Sequence, residues 1–159
     1  MNMIFTLVSE ATLETLAMVG FSTVFSLILG LPLGILLCVT DGETGIMKKP
    51  VLNQVLTRIV NVLRSFPFMI LMILLFPLSR KIVGTSIGTT ATIVPLSIAA
   101  APFVARIIET ALKEVDPGVV QAARAMGSTN MQIIWKVLLP EAMHLSILRL
   151  RLKNSAATA

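Results

Sequence analysis

Charge is what this sequence lacks most. Charged residues make up 13% of the 159, where soluble domains carry about 25%. So few charges cannot cover a globular surface with polar groups. That excludes an ordinary soluble domain and requires an apolar solvent, the lipid bilayer. Cysteine occurs once, as Cys38, so an intrachain disulfide is excluded and the redox compartment is not legible. Histidine also occurs once, as His144, without Cys, His or carboxylate neighbours at ligand spacing, which excludes a metal site built on it. No Ser-His-Asp, Cys-His or phosphate-loop pattern is present. The chain is therefore expected to be no enzyme, with no catalytic residue and no cofactor or metal site. No lysine or arginine precedes Lys48. A cleaved signal peptide needs a basic start and a short apolar core; this sequence has neither.

What is present is long apolar runs. Residues 15–40 carry no charge between Glu14 and Asp41, enough for the ~20 residues of a spanning helix. Gly20, Gly30 and Gly34 suit close helix packing, and Gly30/Gly34 form a Gly-x-x-x-Gly pair. A second span is predicted at residues 59–78, with Arg64 near its start and Pro67 and Pro77 within. The third is predicted at about 85–105, with Gly84, Thr85, Ser86 and Gly88 as a leading turn and the helix proper from Thr89. Pro95 and Pro102 inside it are tolerable in a membrane helix. After Arg106 no stretch is apolar enough to cross. The predicted fold is all-α, with three transmembrane helices.

The net charge of +5 has two readings, nucleic acid or membrane topology, and position decides between them. Glu10 and Glu14 precede the first span without a basic residue. Lys48, Lys49 and Arg58 lie between the first two spans. Arg106, Lys113, Arg124, Lys136, Arg149, Arg151 and Lys153 follow the third, and only Arg80 and Lys81 oppose them. The positive-inside rule then predicts an outside N-terminus and a cytoplasmic region after Ala105. Arg64 is read as an interfacial anchor whose head snorkels to the headgroups, with contact to substrate or partner as the alternative. Glu109 and Glu114 are read as solvated partners of Arg106 and Lys113.

The cytoplasmic region carries a helical hairpin. Asp116 is placed to cap a helix with Pro117 at its first position. Gly127 fits the left-handed residue that closes it. Ser128 or Thr129 caps a second helix, which stops at Pro140. The same pattern fits a DNA-binding helix-turn-helix. Yet the second helix offers Ile133, Ile134 and Trp135, with only Lys136 basic. That set cannot read base edges and phosphates, so no nucleic-acid partner is expected.

Gln121-Ala122-Ala123, then Gly127 after three intervening residues, then Val137-Leu138-Leu139-Pro140 after nine more resembles the signature of ABC importer permeases, Glu-Ala-Ala, Gly, Ile-x-Leu-Pro. Gln121 stands for Glu and Val137 for Ile. A narrower resemblance, to the methionine-importer permeases, rests on Arg64-Ser65-Phe66-Pro67-Phe68, Ile82 to Gly88, Val94-Pro95-Leu96, Ala101 to Arg106, Arg124 to Gly127, Met131-Gln132-Ile133 and Lys136 to Ala142. It covers about residues 10–142.

The resemblance implies a permease subunit of an ATP-driven amino-acid importer, with methionine as substrate, in the bacterial cytoplasmic membrane. Residues 117–140 would be the coupling element seated on the ATPase, with Gln121, Ala122, Ala123, Met126, Gly127, Ser128, Thr129, Leu139 and Pro140 at that interface. ATP would be bound by the partner. Further implied partners are an extracytoplasmic substrate-binding lipoprotein, a second permease copy and the bilayer; the substrate path stays unassigned. Permeases of the family continue with two more helices. Here residues 1–142 are read as the permease domain and 143–159 as a basic, disordered or non-native tail, since Arg149, Arg151 and Lys153 alternate with Leu. A truncated, frameshifted permease is therefore expected. The competing function is a transport-inactive fragment or small membrane adaptor.

Overall fold

The computed structural model describes residues 2–42, 45–85 and 87–157. Glu43 and Thr44 of the first loop, Ser86 of the leading turn and the last two residues of the tail lie outside them. The described residues are all-helical: α1 (Asn2–Val39), α2 (Pro50–Ser65), α3 (Phe68–Val83), α4 (Thr89–Lys113), α5 (Pro117–Ala125), a short α6 (Asn130–Gln132), a π segment (Ile133–Leu138) and α7 (Leu139–Ala157).

Four elements differ from the sequence prediction. First, α1 starts at Asn2 rather than near Thr15. The hydroxyls of Ser9, Thr12 and Thr15 donate to carbonyls one turn back, at 2.7–2.8 Å, so these polar groups are satisfied within the helix.

Second, the span predicted at 59–78 is a bent pair, α2 and α3, turned by 104°. The break is Phe66-Pro67. Proline has no N–H and pushes the preceding residue out of the α region, and Pro67 itself is extended (φ −53°, ψ 129°). Third, α4 does not end at Ala105 but runs to Lys113. By length and apolarity, α1 and α4 can each cross a membrane, and the bent pair makes three spans if it counts as one.

Fourth, the second hairpin helix does not stop at Pro140: α7 continues through the tail to Ala157. Pro140 is accommodated because the helix widens just before it. The Leu139 N–H reaches the Ile134 carbonyl, five residues back. Beyond it, Glu, Ala, Met, Leu and Arg favour helix. Leu145 joins an apolar core, and Arg149 Nη1 pairs with Glu114 at 2.6 Å.

The chain divides into two compact units. The first is Met1–Leu33 with Thr57–Ala105. Here α1 buries Ser22, Ser26 and Gly30, one residue per turn. Gly30 meets α4 of its own chain. A Cβ there would lie 2.7 Å from Val104 Cγ1 and 3.0 Å from the Ala101 carbonyl oxygen. The Ser79 hydroxyl of α3 donates to the Ala91 carbonyl of α4, with both residues buried. Apolar side chains such as Phe25, Ile28, Ile73 and Leu74 face outward, as lipid contact requires.

The second unit is Gly34–Leu56 with Arg106–Ala159. Its core joins Cys38, Leu112, Val115, Leu138 and Ala142, with Ile46, Val120 and Leu145 packed on it. Asn53 Nδ2 donates to the Leu37 carbonyl at 2.7 Å, satisfying one of the acceptors that the end of α1 leaves open.

Candidate functional site

The hairpin read from sequence is present, and its turns are built by local hydrogen bonds. At the start of α5, Asp116 Oδ1 accepts from the Gly118 N–H at 2.7 Å, with Pro117 at the first helical position. At its end, the Gly127 N–H reaches the Arg124 carbonyl (2.9 Å) and the Ser128 N–H the Ala123 carbonyl (3.2 Å). This is a Schellman closure, and it needs a left-handed residue; Gly127 has φ +79°. Of the two candidate caps, Thr129 caps the next helix. Its Oγ1 accepts from the Gln132 N–H (3.4 Å), while Gln132 Oε1 accepts from the Thr129 N–H (3.0 Å), a full capping box.

Gly127→Val is expected to destabilise the hairpin by about 2 kcal/mol, because a β-branched residue clashes at positive φ. Gly127→Asn, which tolerates that region, should lose less than half as much. Equal unfolding midpoints for the two variants in detergent would count against the left-handed turn as the reason for glycine.

Burial sorts the candidate residues into two groups. Gln121, Ala122, Met126, Gly127, Thr129 and Pro140 are exposed, Met126 at 79%. Ala123 is buried, and Ser128 and Leu139 are partly buried. Ala123 therefore keeps α5 close to its own chain, and Ala122 is the small residue open to a partner. Of the hairpin's larger apolar residues, Ile133 and Ile134 turn inward, while Trp135 and Met126 remain outside.

Beneath the hairpin lies a charge cluster that sequence reasoning misjudged. Glu109 is not solvated; it is 3% exposed. Its Oε2 accepts from Arg106 Nη1 at 2.5 Å and its Oε1 pairs with Lys113 Nζ at 2.9 Å. Lys113 in turn pairs with Asp41, just past the end of α1. The carboxylate is buried because it shares a helix stripe with Ala105 and Leu112, one turn away on either side and also buried. The spacing of Ala105, Glu109 and Leu112 puts them on one helix face, but nothing in the sequence says that this face turns inward. Arg124 Nη2 donates to the Ile46 carbonyl at 2.7 Å, tying α5 to the same loop. A cavity of about 240 Å³ opens between them, bordered by Ile46, Lys48, Lys113, Gln121 and Arg124. Among the described residues no group of three or more His, Cys, Asp or Glu is placed to hold a metal.

A helical chain whose apolar spans are followed by a doubly capped hairpin with Ala122 exposed defines a multi-pass membrane component. Residues 30–156 match the family described as binding-protein-dependent transport system inner membrane component, and the chain belongs to that family. It is 52% identical over 131 residues to the D-methionine transport system permease protein MetI of Escherichia coli K12, covering 82% of this chain and 59% of that relative. It is 51% identical over 138 residues to the protein of the same name from Yersinia pestis, covering 86% and 63%. Among solved structures, inward-facing MetNI methionine ABC transporter in one crystal form is similar with a TM-score of 0.86 and 48% identity, over 89% of this chain and 65% of that one. The chain thus spans about 60% of the length of the relatives it matches.

Proposed function

We propose that this chain acts as a permease subunit of an ATP-driven methionine importer. The observation that carries this is the hairpin over residues 117–140. Its caps and Schellman turn fix its shape from within, and it leaves Gln121, Ala122, Met126 and Thr129 free for a partner. That partner is an ABC ATPase subunit, which binds and hydrolyses the ATP. The inward-turned Ala123 and Leu139, with Gly127, Ser128 and Pro140, set the hairpin's form. A second permease copy and an extracytoplasmic substrate-binding lipoprotein complete the assembly. The names of the relatives support the substrate, and the family description supports the binding protein. The orientation follows from the basic residues after Ala105: hairpin cytoplasmic, N-terminus outside.

The test is retention of the ATPase. Chain and ATPase subunit are co-expressed and purified through a tag on the chain. Ala122→Trp is expected to reduce recovered ATPase at least tenfold, with an unchanged unfolding midpoint for the chain. Undiminished recovery sinks the docking role. Methionine uptake in cells lacking their own importer, supplied with chain, ATPase and binding protein, tests transport separately: uptake no higher than without the chain counts against the proposed activity.

A further inference from the structure

The break between α2 and α3 opens a cavity of about 350 Å³, within the range of ~300–1,000 Å³ for ligand pockets. It is lined by Leu63, Arg64, Phe66, Phe68, Leu71 and Phe103, together with Ala99 and Ala100 of α4. Three aromatic rings and one cation in an otherwise apolar hollow is an unusual lining. Lipid alone needs no guanidinium there, and an ionisable residue inside a membrane segment calls for a named partner.

The backbone supplies two further features. Pro67 has no N–H to offer the Leu63 carbonyl four residues back, one of the acceptors that the end of α2 leaves without an intrahelical donor. α3 begins at Phe68 without a side-chain cap, and the start of a helix favours negative charge. Discontinuous membrane helices combine these same features, helix starts toward an anion and unwound carbonyls toward a cation.

From this lining we infer that the cavity at the α2–α3 break binds the transported amino acid as a zwitterion. The Arg64 guanidinium takes the carboxylate, the Leu63 carbonyl faces the ammonium, and Phe66, Phe68 and Phe103 hold the thioether side chain. Sulfur against ring edges is a favourable contact, and a guanidinium binds a carboxylate through paired N–H donors. Arg64 is then a specificity residue rather than a headgroup anchor. This rests on the proposed transport of methionine.

The test is direct binding to the chain with its ATPase subunit in lipid nanodiscs, using radiolabelled methionine and, as competitor, methioninol, which has no carboxylate. Wild type should prefer methionine. Arg64→Gln should weaken methionine roughly 10–100-fold and leave methioninol unchanged, erasing the preference; Arg64→Lys should retain part of it. Phe103→Ala should weaken both ligands alike. Equal methionine affinity in wild type and Arg64→Gln overturns the site and returns Arg64 to the lipid headgroups, as does failure of wild type to bind methionine. Neither result touches the transport reading, which stands or falls on uptake.

Discussion

Glu109→Ala is expected to destabilise the chain by about 3 kcal/mol, by far more than removal of any surface charge. Breaking a buried ion pair by deleting one partner leaves an uncompensated charge, worth about 3–5 kcal/mol. The low end applies because Arg106 and Lys113 are each about one-third exposed, so water can take over part of the lost interaction. Two cations lose one carboxylate at once, and only Lys113 keeps a second, Asp41. Glu109→Gln preserves the shape and isolates the electrostatic share. The contrast is Glu114→Ala: Arg149, its partner, is 71% exposed, and such pairs contribute under about 1 kcal/mol. Thermal unfolding in detergent distinguishes them. Similar losses for Glu109→Ala and Glu114→Ala would mean that the buried cluster does not anchor the hairpin's base.

The second large effect concerns two glycines of α1 that look alike in sequence. Gly30→Ala is expected to cost about 1–3 kcal/mol through overpacking. The new methyl would lie 2.7 Å from Val104 Cγ1 and 2.8 Å from its Cβ. Valine is stiff in a helix and cannot swing aside, so α1 and α4 must separate. Gly20→Ala should do the opposite. Nothing beyond its own stretch of helix lies within 4 Å of a Cβ there, and alanine is the better helix former by about 0.8–1.0 kcal/mol. Unfolding midpoints that move in opposite directions are the expected result. A shared direction would show that the α1–α4 contact at Gly30 is loose.

What could be read from sequence was local. Asp116, Pro117, Gly127 and Thr129 act on backbone groups within a few residues, so their type and spacing are enough to place the hairpin. The apolar runs were legible for the same reason, as a property of composition over one segment. Prolines were not. Pro67 breaks a helix, whereas Pro77, Pro95 and Pro102 lie inside α3 and α4. Proline removes the same N–H each time, and only the surrounding packing decides whether the helix survives. Glu109 was misread because burial is a tertiary property: the sequence shows its partners at three and four residues, but not which face of α4 turns inward. The course of the chain past Pro140 was not legible because α7 packs Ala142 and Leu145 onto Cys38, Leu112 and Val115, at sequence separations where no local pattern speaks.

The π segment ahead of Pro140 has a geometric consequence. An α-helix places residues five apart on well-separated faces, whereas the wider turn brings them close together. Ile133 and Leu138 are both buried across it, so the segment acts as a phase corrector, with one residue of slack wound into the chain. A helical wheel drawn straight from Asn130 into α7 is out of step by that residue. Deleting a single residue between Ile134 and Leu138 would convert the turn to ordinary α pitch. Because the wide turn had absorbed that residue, the hairpin's exposed face would keep its angle about the axis of α7.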